Sequence, residues 1–257
     1  MRKGGGLDVG QINSLAKAIR HVKRKTKNIV VVTSGAIVAG MDILGIHDSP
    51  QDLSIDLKQT CAAIGQPLLM NAYFREFGRV GLKTAQILVT QEDFGDVMKH
   101  HNLRRTLKSL FGFGIIPIMN ENDPLAVHEI KRVSSSVPSR LQFGDNDRLS
   151  AIVAGEIGAE LLIMLTDVDG VYAHRVDTSI PNLVRMSRGV SANLLAGAGE
   201  AGPMGRGGMR SKLAAAALAS ATGVTVVISN GRRMIGIRKA LAGKPEGTTI
   251  LPRVNRR

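Results

Sequence analysis

Tryptophan is absent from these 257 residues, aromatic side chains make up 3%, and there is one cysteine, Cys61. So few rings leave the chain poorly supplied with the stacking platforms that single-stranded nucleic acid uses. A single cysteine allows no internal disulfide, which makes a reducing compartment the simplest expectation, and beside scattered histidines it argues against a zinc site. No apolar run reaches the roughly 18 residues that mark a membrane-spanning helix. The opening MRKGGGLDVGQ also lacks the apolar segment of a signal peptide, so a soluble, cytoplasmic chain with no membrane partner is expected. Several ligand motifs are missing too. No G-x-x-x-x-G-K-[ST] occurs, and the G-x-G-x-x-G spelled by Gly197 to Gly202 has no strand before it. The segment Asp167 to Gly170 places its glycine too early for a calcium loop and has Thr178 where the glutamate should stand, so no metal ligand set is assigned.

What is present is enough for a full core. Hydrophobic residues make up 44% of the chain, and its length suits one large α/β domain or two small ones. Lys and Arg number 34 against 21 Asp and Glu, a formal charge of +13 that favours anionic ligands. The cations crowd two places, Lys17 to Lys27 on or just after one amphipathic helix and Arg232 to Arg257 near the other end. That distribution reads as a solvated basic face, with nucleic acid as the weaker alternative.

Helix and strand alternate along the chain. Ile12, Leu15, Ala16, Ile19 and Val22 form a helical stripe, and 29–32 reads as a buried strand running into Thr33-Ser34-Gly35-Ala36. A helix over about 57–77 leads to a strand at 84–89, then a helix at 102–111 and a strand at 115–119 that ends in the polar turn 120–124. Residues 126–131 are expected to form half of a hairpin, and 133–139 a turn-rich mobile loop. Repeated βα units with crossover helices predict a three-layer α/β/α sandwich with a mostly parallel central sheet.

The densest stretch is Phe143 to Tyr172. Asp145-Asn146-Asp147 opens a helix containing Leu149, Ile152, Val153 and Ile157, Gly158 stops it, and the strand 161–165 delivers Thr166 and Asp167 at its carboxyl end. Ligands of open parallel sheets sit outside the carboxyl ends of strands, so both polar clusters read as parts of one active site. Ordinary capping and turn formation is the competing explanation. Farther on, Gly205 to Lys212 is a glycine-rich entry to the apolar helix 213–221, where backbone N–H groups and Lys212 suit phosphate. The strands 225–228 and 248–251 complete the pattern.

The segments VVTSGAI (31–37), MNEND (119–123), FGDNDRLSA (143–151), LLIMLTDVDGVY (161–172) and GGMRSK (207–212) together resemble the glutamate 5-kinases of the amino acid kinase family, in order and over nearly the whole chain. The resemblance implies ATP-dependent phosphorylation of the γ-carboxylate of L-glutamate to L-glutamyl 5-phosphate, with Mg2+ bridging the ATP phosphates. It implies that Ser34 and the Gly35-Ala36 turn hold the reacting carboxylate and that Asp123 and Asn146 hold the amino acid end. ATP would lie on Thr166, Asp167 and the loop Arg206, Gly207, Gly208, Met209, Arg210, Ser211 and Lys212. Lys212 would neutralise the transferring phosphoryl group and Asp147 would orient the cations around it. A homodimer or homotetramer and feedback binding of proline also follow from the likeness, and with so few aromatic residues no nucleic-acid partner is expected.

The chain departs from the family pattern in three places. No apolar strand carrying K-x-G-[ST]-S precedes the first helix, Arg206 replaces a threonine, and the link 131–142 is longer than usual. Residues 1–257 are therefore expected to form a single kinase domain that lacks its N-terminal strand and has no C-terminal PUA domain. A catalytically impaired amino-acid-kinase-like domain acting as a ligand sensor or assembly partner, a kinase for another small acid, and a basic nucleic-acid binder are the alternative readings.

Overall fold

The computed structural model describes residues 6–26, 28–126, 146–173, 182–196 and 208–253. The chain divides into two compact units, Met1–Asn146 and Asp147–Arg257, and each has its own sheet and core.

The first unit contains α1 (Val9–Val22), β1 (Val31–Val32), α2 (Ala36–Leu44), α3 (Ile55–Arg79), β2 (Thr84–Val89), α4 (Gln91–Gly95), α5 (Val97–Gly112) and β3 (Ile116–Glu121), followed by a 3-10 turn at Asp123–Leu125. Asp8 caps α1 by accepting from the Gln11 N–H at 3.0 Å, and Ile12, Ala16 and Ile19 place one stripe of the helix in the core. Ser54 caps α3 through the Leu57 N–H. The sheet has the order β1-β3-β2 and is wholly parallel. Alternate residues of β3 point to opposite faces, and Ile116 and Ile118 pack with Ile12, Leu69, Tyr73 and Phe77.

The strand expected at 29–32 is laddered only at Val31–Val32, and Pro117 supplies the reason. Ile116 donates to Lys83 on the β2 side, whereas the Met119 carbonyl accepts from Thr33 on the β1 side, so Pro117 also faces β1. Proline has no N–H to offer there, and pairing begins beyond it. The polar turn expected at 120–124 likewise begins later. Asn120 and Glu121 are the last residues of β3, both buried, and the chain turns at Asn122.

Helices α2 and α3 pack backbone to backbone. A Cβ on Gly65 would lie 1.9 Å from the Ala36 carbonyl oxygen, and one on Gly40 would lie 1.9 Å from that of Cys61. Any side chain at either position would push the helices apart, so these glycines set how closely α3 approaches the start of α2.

The second unit starts in the first turn of α6 (Asn146–Glu156). It continues with β4 (Leu161–Thr166), β5 (Tyr172–Ala173), β6 (Asn182–Leu183), β7 (Met186–Arg188), α7 (Ala192–Ala196), α8 (Met209–Ala221), β8 (Thr225–Asn230), α9 (Ile235–Leu241) and β9 (Thr248–Leu251). Its sheet has the order β4-β8-β9-β7, in which β4 and β8 are parallel, β9 is antiparallel to β8, and β7 is parallel to β9. Strands β5 and β6 form a separate antiparallel pair. Ala151 and Ala154 of α6 and Leu213, Ala216 and Ala219 of α8 pack with Met164, Val226, Ile228 and Ile250 of the strands. Small alanines at the helix contacts allow close approach to the branched strand residues.

Mostly parallel strands with helices on both sides make this an α/β sandwich, as the alternating pattern predicts. The hairpin residues 127–131 and the loop 133–139 lie outside the described residues. Among the described residues no helix is long and apolar enough to cross a membrane.

Candidate functional site

Two polar clusters form at strand ends and helix starts, one in each unit. In the second unit, Asp147 stands in the first turn of α6 and Lys212 in the first turn of α8. Lys212 Nζ donates to Asp147 Oδ1 at 2.9 Å and Oδ2 at 2.8 Å, and both side chains are largely buried, 13% and 16% exposed. A carboxylate at a helix start is favoured by the helix dipole, whereas an ammonium group there is not, so Asp147 holds Lys212 where its own helix would repel it. The N-cap of α8 is Gly208, which has no side chain to satisfy the first-turn N–H groups of the helix. Those N–H groups and Lys212 together make an anion-binding helix start.

The parallel pair β4 and β8 ends with Thr166 opposite Asn230. Thr166 Oγ1 donates to Asp167 Oδ1 at 3.3 Å, and the Thr166 carbonyl accepts from the Gly231 N–H at 2.7 Å. Asn230 ties the two strand ends together. Its Nδ2 donates to Asp169 Oδ1 at 2.8 Å and its Oδ1 accepts from the Arg232 N–H at 2.9 Å. Arg233 stands 3.6 Å from Asp169, but both side chains are well exposed, so this ion pair adds little. Behind the loop, Gly170 has φ of 151° and a Cβ there would lie 2.8 Å from Thr248 Oγ1. Only glycine lets this turn close over Thr248, whose hydroxyl accepts from the Val171 N–H and donates to the Val184 carbonyl.

In the first unit the β1 end turns at Ser34 and Gly35. Gly35 has φ of 108° and is the N-cap of α2, so this helix start also has no side-chain cap. Ser34 is exposed and Ala36 is buried. Thr33 is buried at the strand end, where its hydroxyl meets the Tyr73 hydroxyl at 2.8 Å and its N–H donates to Met119. Burial pushes the Tyr73 hydroxyl up, and its hydrogen bond to Thr33 opposes that shift. At the β3 end, Asn120 Nδ2 donates to Gln66 Oε1 of α3 at 2.9 Å, and Asp123 begins the 3-10 turn that packs against α3.

These placements cover most of the candidate residues. Lys212 and Asp147 are in direct contact; Thr166 and Asp167 are neighbours at one strand end; Met209, Arg210 and Ser211 share the first turn of α8 with Lys212. Ser34, Gly35, Ala36 and Asp123 belong to the first unit. Asn146 opens α6, and its Oδ1 is buried with no hydrogen-bond partner among the described residues. Asp145, Arg206 and Gly207 lie outside the described residues. Asn230, Tyr73 and Gln66 are absent from the sequence-based assignment. Asn230 was findable, because the polar Ser-Asn-Gly after the apolar run 226–228 marks a strand end like that of β4. Gln66 sits in mid-helix beside Pro67, and its only signal is an amide within an otherwise apolar stretch. Among the described residues no group of three or more His, Cys, Asp or Glu side chains could hold a metal ion.

Comparison with known proteins adds names to this geometry. The sequence pattern of the Amino acid kinase family matches residues 3–230. A protein named Glutamate 5-kinase from Pelobacter propionicus is 41% identical over 251 residues, covering 96% of this chain and 64% of the relative. Proteins of the same name from Geobacter sp. strain M21 and Thermus thermophilus are each 39% identical, over 97% and 95% of this chain. The match spans 64% and 62% of those two relatives, less than two thirds of the proteins it resembles. Among solved structures, an isopentenyl phosphate kinase superposes with a TM-score of 0.56 at 16% identity, covering 97% of this chain and 94% of that one. The uridylate kinase of Archaeoglobus fulgidus superposes at 0.57 and 19% identity, over 94% of this chain and 92% of that one. At such identities these likenesses speak for the fold alone.

Proposed function

The chain belongs to the amino acid kinase family, and from that footing we propose that it phosphorylates the γ-carboxylate of L-glutamate with ATP, giving L-glutamyl 5-phosphate as the first step of proline biosynthesis. The observation that carries the proposal is the largely buried Lys212–Asp147 contact at the uncapped start of α8, in a chain about 40% identical to glutamate 5-kinases along nearly its whole length.

The roles follow from the chemistry of phosphoryl transfer. A carboxylate is already ionised at neutral pH and needs no general base, so the protein's work is to align two anions and hold the charge that spreads over the transferring group. Lys212 and the first-turn N–H groups of α8, with Arg206 to Ser211, hold the phosphates. Asp147 keeps the Lys212 ammonium aimed. Thr166 and Asp167 hold the nucleotide at the β4 end, supported by Asn230. In the first unit, the N–H groups of the Ser34-Gly35-Ala36 turn take the reacting carboxylate, and Asp123 with Asn146 takes the amino acid end. Mg2+ would need no carboxylate triad, because it would be held mainly through substrate phosphates and water, and Asp167 at the β4 end is the carboxylate that would support it. When bound, it supplies charge neutralisation at the phosphates.

The same reading makes residues 1–257 a kinase domain, cytoplasmic, assembling as a homodimer or homotetramer and open to feedback by proline. The test is an assay of the chain with ATP, Mg2+ and hydroxylamine against L-glutamate, L-aspartate and N-acetyl-L-glutamate. Hydroxamate formed with L-glutamate alone is the expected result, and none with any acid would favour a ligand-sensing domain.

A further inference from the structure

The turn between β4 and β5 has an exposed tip and a buried foot. Asp167 and Val168 stand out into solvent, whereas Gly170 and Val171 are buried. Two neighbours hold that foot. On one side Asn230, at the end of β8, donates to Asp169. On the other is Thr248, the first residue of β9 and wholly buried, whose hydroxyl is used both ways. It accepts from the Val171 N–H at 2.8 Å and donates to the Val184 carbonyl at 2.6 Å. The Val184 N–H in turn donates to the Val171 carbonyl at 2.8 Å, so Val171, Val184 and Thr248 close a ring of hydrogen bonds.

Backbone crowds around this ring. A Cβ on Gly170 would lie 2.8 Å from Thr248 Oγ1, and one on Gly247, where φ is 100°, would lie 2.1 Å from the Ile228 carbonyl oxygen and 3.0 Å from that of Asp169. Gly247 therefore brings the start of β9 up against both the turn and the end of β8. If the Thr248 hydroxyl is removed from so closed a place, the Val171 N–H is left buried without its acceptor and must move to find another. Movement at the foot reaches the tip. The Thr166 carbonyl is fixed by the Gly231 N–H at 2.7 Å, so only 167–170 lie between one anchored end and the other, and a shift of Val171 is passed on to Asp167.

We propose that Thr248 is a positioning residue for the nucleotide: by holding Val171 from β9 it sets where the Asp167 carboxylate stands, and with it the affinity for ATP. The inference deepens the proposed function and rests on its placement of ATP at the β4 end, but not on glutamate as the acceptor.

Calorimetric titration with Mg2+ and adenylyl imidodiphosphate, an ATP analogue that binds without turnover, tests it, beside steady-state kinetics with L-glutamate and thermal melts. Thr248→Val keeps the shape and loses the hydroxyl, so it is expected to weaken nucleotide binding and raise KM for ATP about tenfold while KM for glutamate stays unchanged. Thr248→Ser keeps the hydroxyl and returns nucleotide binding close to the wild-type value. Ile250→Val removes a buried methylene from the same strand and melts lower without changing either KM, which separates positioning from lost stability. Unchanged nucleotide binding in folded Thr248→Val overturns the inference. So does an equal rise in both KM values, or a Thr248→Ser that binds no better than Thr248→Val. If Thr248→Val does not fold, amide hydrogen exchange in the wild-type chain decides: the nucleotide analogue is expected to slow exchange at the Val171 and Val184 N–H groups together, and slowing that misses either one overturns the inference. A wild-type chain that binds no nucleotide overturns it as well. Nucleotide binding that depends on Thr248, without phosphorylation of L-glutamate, would instead sink the proposed reaction and leave Thr248 in its role.

Discussion

Lys212 Nζ and the Asp147 carboxylate, 65 residues apart in sequence, meet through two hydrogen bonds of 2.9 and 2.8 Å at the starts of two helices. Removing either partner leaves the other largely buried without its counter-charge. Lys212→Ala is expected to lower turnover roughly a hundredfold or more, because the cation acts on charge that develops during transfer. Asp147→Asn keeps the shape but loosens the aim of the ammonium, so its turnover loss should be smaller. Steady-state kinetics check both, and equal losses would mean that Asp147 does more than orient Lys212.

Asn230 spans the ends of β4 and β8 through its bond to Asp169. Asn230→Ala should raise KM for ATP about threefold to tenfold, the equivalent of one hydrogen bond of about 0.5–1.5 kcal/mol, and leave KM for glutamate unchanged. A change confined to glutamate would place Asn230 in the wrong half of the reaction.

Gly65 is where α3 touches the first residue of α2. Gly65→Ala inserts a methyl group where the Ala36 carbonyl oxygen and the Gly40 nitrogen already stand, so it should destabilise the chain by about 1–3 kcal/mol in chemical denaturation, despite the better helix propensity of alanine. A neutral or stabilising outcome would contradict the close packing of these helices.

Much of this organisation is legible in the sequence. The strand 84–89 and the helix stop at Gly158 follow from apolar runs and turn residues, and the polar residues Thr166 and Asp167 fall at a strand end as strand periodicity implies. What escapes a linear reading is pairing across distance. Pro117 shortens β1 because of the side on which its missing N–H falls, and register decides that side. Gly40 and Gly65 look like ordinary helix interruptions until α2 and α3 meet. The amides of Gln66 and Asn120 are 54 residues apart and announce nothing separately.

Glu76 of α3 is 1% exposed, and its carboxyl is held below the usual range chiefly by the Asn13 amide, with Arg79 and Arg75 assisting and desolvation opposing. Its folded pKa is lowered, so its contribution to stability is present above the unfolded glutamate value of about 4.3 and is lost as pH falls through the lower folded value. Glu76→Gln should therefore be less stable than wild type at pH 7, and the difference should narrow under acid. Denaturant melts at several pH values check this, and a gap that stays constant with pH would contradict it.

The central claim is that the γ-carboxylate of glutamate attacks ATP, and oxygen tracing tests it most directly. Glutamyl phosphate collapses to 5-oxoproline and inorganic phosphate, and the bridging oxygen leaves with the phosphate. With L-glutamate labelled by oxygen-18 in its γ-carboxylate, the account predicts ATP-dependent release of phosphate carrying one labelled oxygen, seen by mass spectrometry and lost in Lys212→Ala. Phosphate whose new oxygen comes only from water would contradict it.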